Sequence, residues 1–223
     1  FGHPMHAFDL DRVRGAEIVV RRAREGEALT TLDGVARKLV SDDLLICDGE
    51  GPVALAGVMG GADSEVRDDT RRVLFECAYF EPRGVRRCAR RHGMHTEASH
   101  RFERGVDPAD AEALLERALQ LTAELAQGKP ARGQLHVGTL RPEKRVLQLS
   151  LPRVSQLIGD SVSEAEVKTM LRRLGCELSQ GAERDSLRVA IPTHRPDLER
   201  SVALISEVAR IRGEMQEVID QVG

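Results

Sequence analysis

The residues best equipped for chemistry lie in RRHGMHTEASHRFERGVDP, Arg90 to Pro108, where four arginines, three histidines and two glutamates fall within nineteen residues. Such a cluster suits a metal site, a nucleic-acid contact, a catalytic centre or a solvated charged face. Metal fits worst. His92, His95 and His100 are spaced by three and five, which matches no standard ligand pattern, and the surrounding arginines would repel a cation. An anionic partner fits better, because Arg83, Arg86, Arg87, Arg90, Arg91, Arg101 and Arg104 crowd into a chain of net charge -3 and the guanidinium fork matches phosphate oxygens. A helix over 82–91 would turn Val85, Cys88 and Ala89 inward and splay Arg86, Arg87, Arg90 and Arg91 outward. The competing reading is a basic face balanced by the acidic stretch Asp63 to Asp69. Aromatic residues make up 3% of the chain, so any RNA contact is expected at the backbone rather than the bases.

Other chemistries find less support. There is no Gly-x-Ser-x-Gly elbow, and Ser99 lacks the turn that would activate it. In VMGGADSE two glycines adjoin, but neither a P-loop lysine nor a Rossmann triplet follows. Gly60-Gly61 instead marks a close approach of the backbone to a strand or a ligand. Glu76 lies inside the apolar run VLFECAYF, where a carboxylate on a central strand costs several kcal/mol without a partner. Either an internal arginine or histidine satisfies it, or a ligand does.

The elements that must hold these residues follow from periodicity. From Ala16 to Phe80 short β-runs alternate with turns, and Asp33-Gly34 is the best hairpin signal. DLLICDG and VLFECAYF are apolar on consecutive residues, as expected of strands covered on both faces. A helix is expected from Asp107, with Pro108 at its first position, to Gln127, its apolar face formed by Ala111, Leu114, Leu115, Ala118, Leu119 and Leu125. Residues 128–144, rich in Gly, Pro and basic residues, form the boundary between a domain of residues 1–140 and a smaller one of residues 141–223. In the second, Leu147, Leu149 and Leu151 alternate as a strand, a helical turn covers 152–158, and Ser163 with Glu166 forms a capping box. Two strands, CELS and SLRVAI, and a helix from Pro196 to Ile211 complete it. The fold class is α+β: a mixed β-sheet domain with flanking helices, then a small winged-helix-like unit.

Length, 41% hydrophobic and 31% charged residues describe a soluble globular protein with two cores, without a leader or a membrane span, and hence a cytoplasmic one. Cys47, Cys77, Cys88 and Cys176 stand singly and read as reduced thiols. DNA binding by the small domain would rest on fold analogy alone. The start at Phe1 suggests a segment of something longer.

The ordered blocks Gly2-x-Pro4-x-His6-Ala7-Phe8-Asp9, Met59-Gly60-Gly61, Phe75-Glu76-Cys77-Ala78 and Arg90-Arg91-x-Gly93-x-x-Thr96-Glu97-Ala98-Ser99-x-Arg101-Phe102-Glu103-Arg104-Gly105-Val106-Asp107-Pro108 resemble the beta subunit of bacterial phenylalanyl-tRNA synthetase. RVSQLIG, LRRLGCEL, IPTHRPDLER and EVARI continue the resemblance in the small domain. It implies an editing domain that hydrolyses tyrosine mis-attached to phenylalanine tRNA, within an ATP-dependent ligase that also needs an alpha subunit. Glu76 would read the tyrosine phenol, His6, Thr96 and Ala98 would line the pocket, and Gly60 would leave room at its wall. His6 and Thr96 would act as catalytic positioners of a water, with His6 able to serve as general base. No cofactor is required for editing. The alternative is a non-catalytic module that binds RNA or an amino acid.

The resemblance also implies magnesium in the last helix, held by an aspartate, an acid six residues on and a glutamate pair. Here Asp197 and Glu207 remain, but Ala203 and Ser206 replace the other two, and GEMQEVIDQVG replaces the family's closing Gly-Tyr-Asp region. Magnesium is therefore a doubtful cofactor. Nothing corresponds to the family's amino-terminal tRNA-binding, catalytic-like or anticodon-binding modules, so this chain alone would not form an aminoacylation site.

Overall fold

A computed structural model describes residues 2–138 and 144–213; the closing stretch 214–223 and residues 139–143 lie outside the described residues. The chain divides into two compact units, Phe1–Leu140 and Arg141–Gly223. No helix among the described residues is long and apolar enough to cross a membrane.

The first unit is built from short antiparallel strands. β1 (His6–Asp9) pairs with β8 (Val73–Glu76), and the register sets His6 opposite Glu76 and Phe8 opposite Leu74. A four-stranded sheet orders β2 (Val19–Arg22), β5 (Leu44–Cys47), β6 (Pro52–Leu55) and β7 (Met59–Gly60). β3 (Ala28–Thr30) and β4 (Ala36–Lys38) form the expected hairpin. Gly34 adopts φ +76° at its tip, and Asp33 Oδ1 accepts from the Thr31 hydroxyl at 2.6 Å and from Val35 N–H at 3.2 Å. The expectation of a mixed sheet is corrected: every described pairing is antiparallel, and the strands are divided among small sheets.

VLFECAYF is also corrected. Only its first four residues are strand, and β8 has one neighbour instead of two. Beyond Glu76 the ladder stops; the Ala78 carbonyl accepts from the His3 ring at 2.9 Å instead of from a strand. DLLICDG does behave as a covered strand, with Leu45, Ile46 and Cys47 buried.

Three helices follow. α1 (Pro82–Arg91) starts where the Glu81 carboxylate accepts from Arg83 and Gly84 N–H, with Pro82 in the first turn where its missing donor costs nothing. Val85, Cys88 and Ala89 form its buried face. α2 (Glu97–Phe102) starts at a reciprocal capping box between Thr96 and Ser99. α3 (Ala111–Ala126) begins three residues later than expected, because Asp107 accepts from Ala109 N–H at 2.9 Å and closes a turn instead of capping the helix. Of its apolar residues only Leu114 is buried. Leu45, Leu55, Phe8, Phe80 and Phe102 anchor the core of this unit.

The second unit is a three-stranded antiparallel sheet ordered β10 (Glu177–Gln180), β11 (Ser186–Ala190), β9 (Val146–Ser150), packed with α4 (Leu151–Ile158), α5 (Glu164–Arg173) and α6 (Ser201–Arg212). The Ser163 and Glu166 capping box is present. Leu151 opens α4 rather than closing the strand. α6 starts at Ser201, not Pro196, since the Arg145 guanidinium donates to the Pro196 and Leu198 carbonyls and fixes 196–200 as a turn. Leu149, Val167, Leu171, Val189, Leu204 and Val208 form a separate core.

Gly57 is a tight joint of the first unit. Its φ is +70°, and a Cβ there would lie 2.9 Å from Phe80 Cδ2, 3.1 Å from Val85 Cγ2 and 3.2 Å from Phe102 Cδ2. Gly57→Ala should cost about 3 kcal/mol, combining overpacking with a left-handed backbone. Urea unfolding measures it; a cost under about 0.5 kcal/mol would refute the packing account.

Candidate functional site

A cavity of about 60 Å³ opens where β1, β8, the β6–β7 turn and α2 meet. Its wall is apolar, with Leu55, Ala98 and Phe102 among the lining residues, and His6 and Glu76 are its only titratable ones. Their position follows from the ladder. Residues directly opposite on paired strands project to the same face, so the His6 and Glu76 register brings an imidazole and a carboxyl to one side.

Among the described residues, neither polar group finds a partner. His6 Nε2 is buried without a hydrogen-bond partner, and the ring stands edge-on to Phe8 with centroids 4.5 Å apart. Burial lowers its pKa, so the ring is neutral near pH 7. Among the described residues no hydrogen bond or ion pair reaches the Glu76 carboxyl, and burial alone pushes its pKa from 4.5 up to about 7. The partner sought for Glu76 within the protein is thus absent among the described residues.

Gly60 explains why the two glycines adjoin. A Cβ at Gly60 would lie 2.5 Å from His6 Cε1 and 2.8 Å from its Nε2, so only glycine lets the imidazole occupy the cavity wall. At Gly61 a Cβ would come within 2.6 Å of the Val53 carbonyl oxygen, which accepts from Gly61 N–H at 2.7 Å. Ala98 lines the cavity from α2. Thr96 does not line it: its hydroxyl donates to the Val58 carbonyl at 2.8 Å and accepts from Ser99 N–H at 3.0 Å. Thr96 therefore ties the start of α2 to the turn that carries Gly60.

The four outward arginines of α1 divide into two pairs. Arg87 donates to Asp42 at 3.0 and 3.2 Å, and Arg91 donates to Asp42 at 2.8 Å and also to Asp43. The two guanidinium groups hold the Asp42 carboxyl far below the usual carboxylate range. The acidic counterpart of the basic face is therefore Asp42-Asp43, not Asp63 to Asp69. Arg86 and Arg90 stay exposed, and no ion pair reaches them among the described residues. Sequence reasoning missed Asp42-Asp43, although two adjacent acids before a covered strand are a readable signal for pairing with a basic helix.

Three residues of metal-ligating type do converge, and of the three clustered histidines only His92 is among them. Asp43, Cys88 and His92 place one potential ligand atom each within 4.8 Å of one another. Asp43 already accepts from Val40 N–H at 3.0 Å and from Arg91, and lies 2.9 Å from His92 Nε2, while burial pushes the Cys88 thiol up to about 12. This is a closed hydrogen-bond network in the core, with an arginine where a cation would sit.

The implied magnesium position fits no better. Arg195 donates to both oxygens of Asp197, at 2.9 and 2.6 Å, and its Nη2 also lies 3.1 Å from Glu207, to which Arg210 donates as well. Arg195 holds Asp197, and Arg210 together with Arg195 holds Glu207, below the usual carboxylate range. Ala203 packs on the core and the Ser206 hydroxyl donates to the Val202 carbonyl, so neither substitutes for a lost acid. The residues present do not fit the ion.

Comparison with known proteins decides the family. The B3/4 domain matches residues 1–127, and the tRNA synthetase B5 domain matches residues 147–213. This chain belongs to the B3/4 domain family. It is 46% identical over 213 residues to the phenylalanine–tRNA ligase beta subunit of Geobacter sulfurreducens, covering 96% of this chain and 26% of that one. Against the same subunit of Nitratidesulfovibrio vulgaris it is 48% identical over 212 residues, covering 95% and 26%. The chain thus spans about a quarter of the length of the curated relatives it matches. The resemblance read from its motifs to the beta subunit is borne out. A solved amino-terminal fragment of a phenylalanyl-tRNA synthetase beta subunit from Pyrococcus horikoshii aligns at a TM-score of 0.44 and 14% identity, over 94% of this chain and 59% of that one, too distant to add to the argument.

Two measurements check the electrostatics. The folded pKa of Glu76 exceeds its ordinary value, so its contribution to stability is complete below about pH 4.5 and is lost as pH rises through about 7. The rise corresponds to about 3 kcal/mol. Glu76→Gln should match the wild type in urea unfolding at about pH 4 and exceed it by up to about 3 kcal/mol at about pH 8; equal stability at both would refute an unpartnered carboxyl. Millimolar magnesium should move the melting temperature by less than about 1 °C, whereas a site filled a hundredfold above its Kd would add about 2.7 kcal/mol and several degrees.

Proposed function

We propose that this chain performs the editing step of a phenylalanine–tRNA ligase beta subunit: hydrolysis of the ester joining tyrosine to phenylalanine tRNA. The observation that carries this reading is the unpartnered pair of His6 and Glu76 in an otherwise apolar cavity. A phenol oxygen pairs with Glu76 in either protonation state, since a carboxylate accepts and a carboxylic acid donates. Phenylalanine leaves the buried carboxyl unpaired, a difference of about 1–3 kcal/mol, or roughly ten- to a hundredfold.

In the reaction, water attacks the ester carbonyl and the bond to the ribose oxygen breaks, giving free tyrosine and the uncharged RNA end. Neutral His6 takes the proton from the water and returns it to the departing oxygen. Thr96 is a positioning residue in this scheme, acting through the Val58 carbonyl on the turn that carries Gly60. Phenylalanine tRNA is the substrate partner, an alpha subunit completes the ligase, and the setting is the cytosol. A non-catalytic binding module is the second reading, favoured by the Thr96 hydroxyl being engaged entirely with the protein's own backbone.

Deacylation of tyrosyl and phenylalanyl esters of phenylalanine tRNA separates the two. The chain should hydrolyse the tyrosyl ester about ten- to a hundredfold faster. Glu76→Ala should bring that ratio near one, and His6→Ala should slow the reaction about a hundredfold or more, with both variants folded. Hydrolysis of neither ester by the folded chain would leave the binding module; equal hydrolysis of both, or an unchanged ratio in Glu76→Ala, would overturn Glu76 as the group that selects tyrosine.

A further inference from the structure

On the other side of α2 lies a second and larger concavity, a cleft of about 190 Å³ between α1 and α2. Arg86 and Arg90, one turn apart on α1, line one side, and His95 and His100 enter from the following segment. All four are exposed, and no hydrogen bond or ion pair to their side chains forms among the described residues. The cleft also contains Glu97 and Glu103, but each has its own cation: Arg101 lies 3.7 Å from Glu97 and Arg104 lies 3.0 Å from Glu103. The acids are answered from outside the cleft and the bases are not. What remains is a concave surface with two free guanidinium forks, which is complementary to phosphate oxygens.

Its neighbour supplies the second observation. α2 is a partition: Ala98 and Phe102 face the cavity that holds His6 and Glu76, while Glu97, Ser99 and His100 face the cleft. The two concavities are therefore separated by one helix width, about 10 Å. We propose that the cleft seats backbone phosphates of the single-stranded RNA end whose terminal ester enters the cavity. This rests on the editing reading for the identity of the ester, and it assigns distinct roles to arginines of one helix. Arg86 and Arg90 hold the RNA; Arg87 and Arg91, bound to Asp42 and Asp43, hold α1 to the sheet.

The test is fluorescence anisotropy of the full chain with a short, labelled, single-stranded RNA that carries no amino acid. The variants are Arg86→Gln/Arg90→Gln and, as a control of equal charge change on exposed positions of the second unit, Arg153→Gln/Arg173→Gln. The first pair should weaken binding about tenfold at low salt and reduce the slope of log K against log salt by about 1.4, the loss of two single-strand phosphate contacts. The control should leave both unchanged, and melting temperatures should agree across all three proteins.

Equal weakening by the control pair, an unchanged salt slope, or no RNA binding by the unaltered chain would each overturn the proposal. So would displacement of the RNA by inorganic phosphate as effectively as by unlabelled RNA, which would assign the cleft to a free anion. Because the probe has no ester, the outcome is independent of hydrolysis. A chain that edits selectively but whose Arg86→Gln/Arg90→Gln variant binds RNA normally sinks the cleft alone. A chain that binds RNA through the cleft but hydrolyses neither ester sinks the editing reading alone.

Discussion

Pairing β1 with β8 in a register that sets His6 against Glu76 is the constraint from which the rest of the first unit follows. Two ionisable side chains on one face of a two-stranded ladder cannot be left in apolar surroundings without cost. Burial pushes Glu76 toward the neutral acid and His6 toward the neutral base. A fold selected for stability alone would place a partner beside each, as it does for Asp43 with Arg91, Val40 and His92. Here the wall is Leu55, Ala98, Phe102 and a glycine, and the cost persists. A half-buried pair of this kind, without a partner among the described residues, keeps its hydrogen-bonding capacity available to a polar ligand.

That cost has to be carried by packing around it. Gly60 yields its side-chain volume to the His6 ring, Gly61 sits against the Val53 carbonyl, and Gly57 allows Phe80, Val85 and Phe102 to close over the β6–β7 turn. Thr96 joins the same turn to α2 by one donated and one accepted hydrogen bond. At these three glycines the packing admits no larger residue without displacing a neighbour. Function and fold are coupled here through sterics rather than through any single strong bond.

Local signals in the sequence were legible and long-range ones were not. The Asp33-Gly34 hairpin and the Ser163 capping box depend on residues within four positions of one another, and both formed as read; the helix over 82–91, conditional on sequence alone, formed as well. The failures have a common cause. Asp107 and Pro108 have the chemistry of a helix start, but Asp107 closes a turn first and the helix waits until Ala111. Pro196 fails similarly, because Arg145, 51 positions earlier, claims its carbonyl. VLFECAYF looked like a central strand because its composition is apolar, whereas only Phe80 of it is buried, packed on Phe102 of α2 and close to Gly57 rather than under a second strand. For the candidate site, the motif blocks named Glu76, His6, Gly60 and Ala98, which line one cavity, yet they could not reveal that Thr96 turns its hydroxyl away from it.

Arginine shows most directly why residue type alone does not decide role. Arg91 and Arg195 each bridge two acids, and Arg87, one position along the helix from Arg86, grips the same Asp42 carboxylate as Arg91. In each case the guanidinium fork satisfies carboxylates that would otherwise attract a cation, at Asp43 and at Asp197 with Glu207 by the same physics. Net charge cannot distinguish such arginines from ones that await a phosphate. Geometry can: a fork already matched to a carboxylate loses as much on leaving it as it gains on binding an anion. Only an arginine with no internal partner, as Arg86 and Arg90 are in the cleft, has its full interaction available to a ligand.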